Sequence, residues 1–238
     1  MKRILILTDS LGCPRPEIKV RQTWTDKLLS AYCGTDIVFY TYCIRGLASN
    51  DIPFTYIEDL CPDIIICQVG IVDACRRAMS LREQRIISKI PLFRRCVRII
   101  TKKYHYQLTK ARNIHYVKVN DYVRNMKRVE AYCQRAIFIG IIGPGEFLVR
   151  RTWNVERDVK EYNDALRDAI DNSRSDMLTA FSDELLNEDV NKYLLAEDGH
   201  HLNPDGNMQL FLLVKRKLDN VLKEDEELKK MQIANAGY

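Results

Sequence analysis

Three short, near-continuous apolar runs constrain this chain most: residues 4–7 (ILIL), 64–69 (IIICQV) and 136–142 (AIFIGII). Each is too short for a helix and lacks the alternation of a half-solvated strand, so each reads as a strand buried on both faces. Helical patterns lie between them. Residues 20–32 place Trp24, Leu28 and Ala31 at helical intervals, and Gly34 follows as a stop signal. Strands alternating with helices imply a parallel sheet covered on both sides.

Residues 36–43 and 176–181 read as two further strands, giving five. Further helices are expected at 50–60, 120–135, 154–171, 185–195 and 205–224, with the lysine- and glutamate-rich stretch 225–238 fraying. There is no internal repeat and no low-complexity linker, so residues 1–238 are expected to form one domain. Ligands of such sheets bind beyond the carboxyl ends of the strands. That rim would carry Ser10, Gly46, residues 70–73 and the turn 143–145, and the turn 198–201 could join it.

No apolar run approaches the roughly 20 residues needed to span a bilayer. The start, MKRILILTDS, has only four apolar residues before Thr8 and Asp9, too few for a signal-peptide core, so a cytoplasmic location is expected. Eight cysteines form no C-x-x-C pair. Cys33, Cys43, Cys67 and Cys133 lie in apolar segments and read as buried free thiols. With no His-x-x-x-His spacing either, neither metal nor cofactor is expected.

The net charge of +5 hides an uneven distribution. Residues 74–118 hold 13 Lys and Arg against one acid, Glu83. This segment breaks the strand–helix rhythm and reads as a basic insertion, or lid, whose interleaved Ile, Leu, Phe and Tyr need burial somewhere. Such a segment suits an anionic ligand, a membrane surface or a lipid-linked phosphate. No nucleic-acid recognition motif accompanies it.

Ser10 follows the first strand directly. A helix starting there would give it free backbone N–H groups, the setting an acyl-transfer nucleophile needs. A serine hydroxyl also needs a base. His105 and His115 lie in the basic segment and read as surface or lid packing. His200 and His201 sit in the constrained turn DGHHLNPDG, where Asp198 could accept from the Nδ1–H of a histidine and leave Nε2 free for a serine proton. The spacing, an acid three residues ahead, favours His201, although physics alone leaves His200 open. No phosphate-cradling run of glycines follows the first strand, so a flavodoxin-like nucleotide or flavin site is poorly supported.

Taken together, these pieces resemble the SGNH/GDSL hydrolase superfamily. Thr8-Asp9-Ser10-Leu11 resembles its first block, Gly46 its second, Gly70-Ile71-Val72-Asp73 its third, and Asp198-Gly199-His200-His201 its last, with residues 202–206 like that block's usual tail. The match runs from residue 4 to about 222 and leaves residues 74–118 outside. The resemblance implies a three-layer α/β/α flavodoxin-like sandwich. It further implies Ser10 as nucleophile, His201 as base and then acid, Asp198 as its orienting partner, and the backbone N–H groups of Ser10 and Gly46 in the oxyanion hole. Asp9, Gly70, Asp73, Arg76, Arg77 and His200 are candidates for touching substrate.

Two positions depart from that pattern. Thr8 stands where glycine is usual. Val72 stands where the oxyanion asparagine is usual, and loss of one such donor costs roughly 10²- to 10³-fold in rate. Either two backbone donors suffice, or Asn50 or Gln68 substitutes, or hydrolysis has been lost. The resemblance implies a serine-dependent acyl-ester hydrolase or acyltransferase working through an acyl-enzyme, with an acylated carbohydrate of a bacterial surface-polysaccharide pathway as its substrate. The alternative is a non-catalytic binding or assembly subunit on the same scaffold.

Overall fold

The computed structural model describes residues 1–179 and 189–236. Strands β1 (Lys2–Thr8), β2 (Ile37–Cys43), β3 (Ile64–Gln68), β4 (Arg135–Ile139) and β5 (Ser175–Leu178) pair in parallel in the order β2-β1-β3-β4-β5. The apolar runs occupy the inner strands. Ile4 to Leu7 and Ile64 to Ile66 are fully buried, as are Ile137 and, within a per cent or two, its neighbours in β4. Edge strand β2 is half-buried with Thr41 exposed.

The helices are α1 (Trp24–Ala31), α2 (Phe54–Leu60), α3 (Ile71–Ala74), α4 (Leu81–Ser88), α5 (Pro91–Lys103), α6 (His105–Arg112), α7 (Val119–Ala131), α8 (Glu146–Arg151), α9 (Val155–Ala169) and α10 (Pro204–Ala236). Right-handed crossovers put α1 on one face of the sheet and α2, α7 and α9 on the other, because the chain reverses direction along the sheet after β2. Accordingly α1 packs with α10, and α7 packs with α9. The reversal opens a crevice between the ends of β1 and β3, where Ser10 and Gly70 emerge.

Several boundaries differ from the pattern reading, each for a local reason. Residues 20–32 are not one helix. The Thr23 hydroxyl accepts the Asp26 N–H at 3.2 Å, so α1 begins at Trp24 and Val20–Gln22 is a separate 3₁₀ turn. Residues 50–60 are split by Pro53 into a 3₁₀ turn, Ser49–Asp51, and α2. The expected helix at 185–195 lies partly outside the described residues, and Val190–Tyr193 is a 3₁₀ turn. The far end of the strand expected at 176–181 also lies outside them.

The charged stretch after residue 224 does not fray before Ala236. Lys2 pairs with Asp225, and Arg135 reaches both Glu224 and, at 3.9 Å, Asp225. These contacts tie α10 to the starts of β1 and β4. Upstream, Leu210, Val214, Leu218 and Val221 form its buried stripe. Cys33 is exposed rather than buried, while Cys67 and Cys133 are buried and Cys43 is half-buried.

The basic segment folds into α4, α5 and α6. Its base is closed by an antiparallel bridge between Arg77 and Ile114, and by Arg112, which donates to Ala78 O (2.9 Å) and Glu83 (2.6 Å). The expectation that its apolar residues are buried fails for α5. Phe93, Ile99 and Ile100 are each more than half exposed, because α5 rests on α4 at the outside of the molecule rather than on the sheet. Among the described residues no helix is long and apolar enough to cross a membrane.

Candidate active site

The end of β1 sets the first residue. Asp9 accepts the Leu11 N–H at 2.9 Å and so turns the chain into the 3₁₀ turn Ser10–Gly12. Ser10 therefore opens a single short turn, not the longer helix that the sequence left open. Its side chain is half-buried at the cleft. Across the crevice, the chain leaving β2 turns at Gly46, whose φ of +75° suits glycine. Among the described residues, no acceptor takes the backbone N–H of Ser10 or of Gly46.

The turn before α10 supplies the second half. Leu195 N–H donates to His201 O at 2.7 Å, Gly199 N–H to Leu195 O at 2.9 Å, and Gly145 N–H to Gly199 O at 2.7 Å. Gly199 has φ +67°, and a Cβ there would lie 2.8 Å from the backbone N of Leu148. Asn203 accepts the Gly206 N–H at 2.9 Å and starts α10. Asn207, one turn on, accepts the Trp24 N–H at 3.0 Å and fixes α10 against α1.

This scaffold brings Ser10, His201 and Asp198 into one hydrogen-bonded line. His201 Nε2 lies 2.8 Å from Ser10 Oγ, and His201 Nδ1 lies 2.7 Å from Asp198 Oδ2. An ionised carboxylate only accepts, so the proton sits on Nδ1 and Nε2 is free to accept from the serine. Oδ1 of Asp198 accepts the backbone N–H groups of His200 (3.1 Å) and His201 (3.0 Å). Burial alone would raise the Asp198 carboxyl. The His201 ring and backbone bonds, with the charge and N–H of His200, instead hold it well below the usual carboxylate range. Arg15 Nη1 stands 3.8 Å from Asp198 Oδ2, the oxygen that faces His201.

His200 is outside this line. Its ring packs on His201 with centroids 3.8 Å apart, and Nδ1 faces Asp198 O at 3.3 Å. Burial first, then the charge of His201, push its pKa down to about 4. Asp198, His200 and His201 present ligand atoms within 4.8 Å of one another. A metal ion there would have to displace Ser10 or Asp198 from His201, so the donor set serves the hydrogen-bonded line better than a cation.

A cleft of about 550 Å³ opens at Ser10, within the usual range for small-molecule sites. Gly46, Val72, Arg76, Arg77 and His200 border it. Asp9, Gly70 and Asp73 do not. Asp9 and Asp73 are fully buried and act on the backbone instead, and Gly70 packs against Ile141 and Tyr122. Asp73 binds Ser49 beyond the Gly46 turn, and Asn125 donates to the Ser49 hydroxyl at 3.2 Å. Burial raises Asp9 to about 7 against the Leu11 N–H bond, with Asp73 adding repulsion, and raises Asp73 to about 6 against its Ser49 bonds.

Neither substitute for the missing asparagine borders the cleft. Gln68 turns its carbonyl into the core, where Thr8 (3.2 Å) and Trp24 Nε1 (3.0 Å) donate to it. The Asn50 carbonyl is held by Asn125 at 2.7 Å. Sequence reasoning missed His105, Tyr116, Phe147, Arg151 and Glu197, which also line the cleft. They come from α6, α8 and two connecting segments, and no local motif marks them. The basic segment thus forms one wall of the cleft through Arg76, Arg77, Gln84, His105 and Tyr116.

No family model matches the chain, and no curated protein matches it in sequence. Solved structures do resemble it. A lipase/acylhydrolase from Enterococcus faecalis aligns over 92% of this chain and 96% of its own, at 13% identity and a TM-score of 0.63. The acetylxylan esterase Axe2 from Geobacillus stearothermophilus covers 90% and 93%, at 17% identity and a TM-score of 0.58. The psychrotrophic esterase EstA from Pseudoalteromonas sp. covers 94% and 100%, at 14% identity and a TM-score of 0.56. The chain has an SGNH/GDSL-hydrolase-like fold.

Proposed function

We propose that this protein is a serine-dependent ester hydrolase. The reading rests on one observation: His201 bridges Ser10 and Asp198 at 2.8 and 2.7 Å. As Ser10 Oγ bonds to the ester carbonyl carbon, its proton passes to His201 Nε2. Asp198 stabilises the imidazolium and keeps its orientation. The N–H groups of Ser10 and Gly46 receive the developing oxyanion. Collapse breaks the bond to the alcohol oxygen, which takes the proton from His201. Water then attacks the acyl-enzyme by the same route and releases the acid.

The substrate class we propose is an acylated carbohydrate, as found in bacterial surface polysaccharides. An acetylxylan esterase among the structural neighbours supports this. Transfer to a sugar hydroxyl instead of water uses the same first half-reaction. Labelling by a fluorophosphonate, with Ser10→Ala as control, tests the reading, and acetate release from acetylated sugars with and without acceptor sugars separates hydrolysis from transfer. Failure of the wild type to label at neutral pH would favour the second reading, a binding subunit, for which the donor-less side chain of Val72 speaks.

A further inference from the structure

The charge of the cleft is unevenly neutralised. Arg76 is bonded to Asp158 through two nitrogens, at 2.6 and 2.9 Å. Arg77 and Arg151 have no carboxylate within ion-pair distance among the described residues. The acids on the same lining are Asp198, engaged with His201, and Glu197. Arg77 is tethered by one nitrogen to Val72 O at 2.9 Å and lies 5.0 Å from the Tyr116 ring centroid. Its Nε is buried with no partner. Arg151 lies 6.0 Å from the Phe147 centroid.

His105 lines the same cleft. Its Nδ1 is 2.9 Å from the backbone oxygen of Arg151. Burial lowers its pKa, and the charges of both Arg151 and Arg77 add to that fall, while the bond to the Arg151 backbone opposes it. The imidazole therefore experiences both guanidinium charges at once. The charge of Arg77 also reaches the buried carboxyl of Asp73, which is already held by Ser49. A concave wall with two guanidinium groups outside any ion pair focuses positive potential, and the planar fork fits carboxylate or phosphate oxygens.

We infer that Arg77, Arg151 and His105, which line one cleft with Ser10, form an anion subsite, so that the preferred ester carries a carboxylate or phosphate on the sugar whose acyl group meets Ser10. This rests on the esterase reading and names its substrate class. The remaining lining, including Ile71, Val72 and Leu148, supplies apolar surface for the sugar or acyl group.

The test compares kcat/KM for three acetate esters: of methyl glucoside, of methyl glucuronide and of methyl glucoside 6-phosphate. At least one anionic ester should exceed the neutral one by about tenfold or more, mainly through KM. The charged-over-neutral ratio should shrink in Arg77→Gln and in Arg151→Gln, and with added salt. Arg77→Gln also loses the bond to Val72, so Arg151→Gln carries the test if the first variant does not fold. A ratio near one for both anions, or a ratio undiminished by Arg151→Gln, overturns the inference while leaving the esterase reading intact.

Should Ser10 resist the fluorophosphonate, the esterase reading fails but the subsite is still decided by binding. In Ser10→Ala protein, glucuronate or inorganic phosphate should raise the His105 pKa seen by NMR, and glucose should not. An unchanged His105 titration with both anions refutes the subsite.

Discussion

Asp73 holds Ser49 with its whole carboxylate: Oδ1 accepts the Ser49 hydroxyl at 2.7 Å and its N–H at 3.0 Å, and Oδ2 shares that N–H at 3.2 Å. The start of α3 is thereby pinned to the stretch that follows the Gly46 turn. Leu47 and Ala48, both buried, complete the anchor. On the proposed mechanism, Asp73 acts as a positioning residue for the Gly46 N–H.

Asp73→Ala should lower kcat by about tenfold to a hundredfold, the scale of a small misplacement of a reacting group. Ser10 should still label, more slowly. Combined with Ser49→Ala, the losses should be clearly less than additive, because both changes release the same turn. Additive losses in kcat would show that Asp73 acts elsewhere.

Ser10→Ala and His201→Ala should each remove nearly all hydrolysis, by roughly 10⁴- to 10⁶-fold. His200→Ala should retain far more, since its ring lies beside the proton path and not on it. Steady-state rates on one acetylated sugar decide this, and equal losses for the two histidines would contradict the geometry.

Asp9 gives a pH signature in stability. Its carboxyl rises from 3.8 to about 7 on folding, so between about pH 4 and pH 7 the folded chain holds a proton that the unfolded chain has lost. Stability from this group is therefore complete below about pH 4 and falls as pH rises to about 7. Asp73, raised to about 6, acts in the same sense. Asp9→Asn keeps an acceptor for Leu11 and abolishes the charge. It should gain on the wild type from pH 4 to pH 8, by roughly 2–4 kcal/mol in all. Urea midpoints across that range measure the gain, and a pH-independent difference would disprove the assignment.

Val72→Asn should raise hydrolysis, by at most the roughly 10²- to 10³-fold that one oxyanion donor supplies. Single-turnover acylation is the measurement. A folded but slower variant would mean that another group already occupies the donor's place.

The sheet was legible because buried parallel strands leave an uninterrupted apolar trace, as residues 4–7 and 64–67 do. Ser10, Asp198 and His201 were legible because short turns hold them in a recognisable local order. What lies on which side of a turn was not legible. Asp9 and Asp73 look as available as Ser10 in the sequence, yet both face the core, where each serves a backbone N–H. Nor could local pattern reveal that Lys2 and Arg135 would hold the charged end of α10 in register, or that His105 and Arg151 would meet across 46 residues.

The separation of 191 positions between Ser10 and His201 has a consequence for synthesis. A chain leaving the ribosome presents its serine with the first strand, long before its histidine is made. Until α10 docks on α1 through Asn207 and Trp24, that hydroxyl lacks a base and is no more reactive than an ordinary surface alcohol. Incomplete translation products would therefore be chemically silent, and on the proposed reading ester cleavage would begin only when α10 closes on α1.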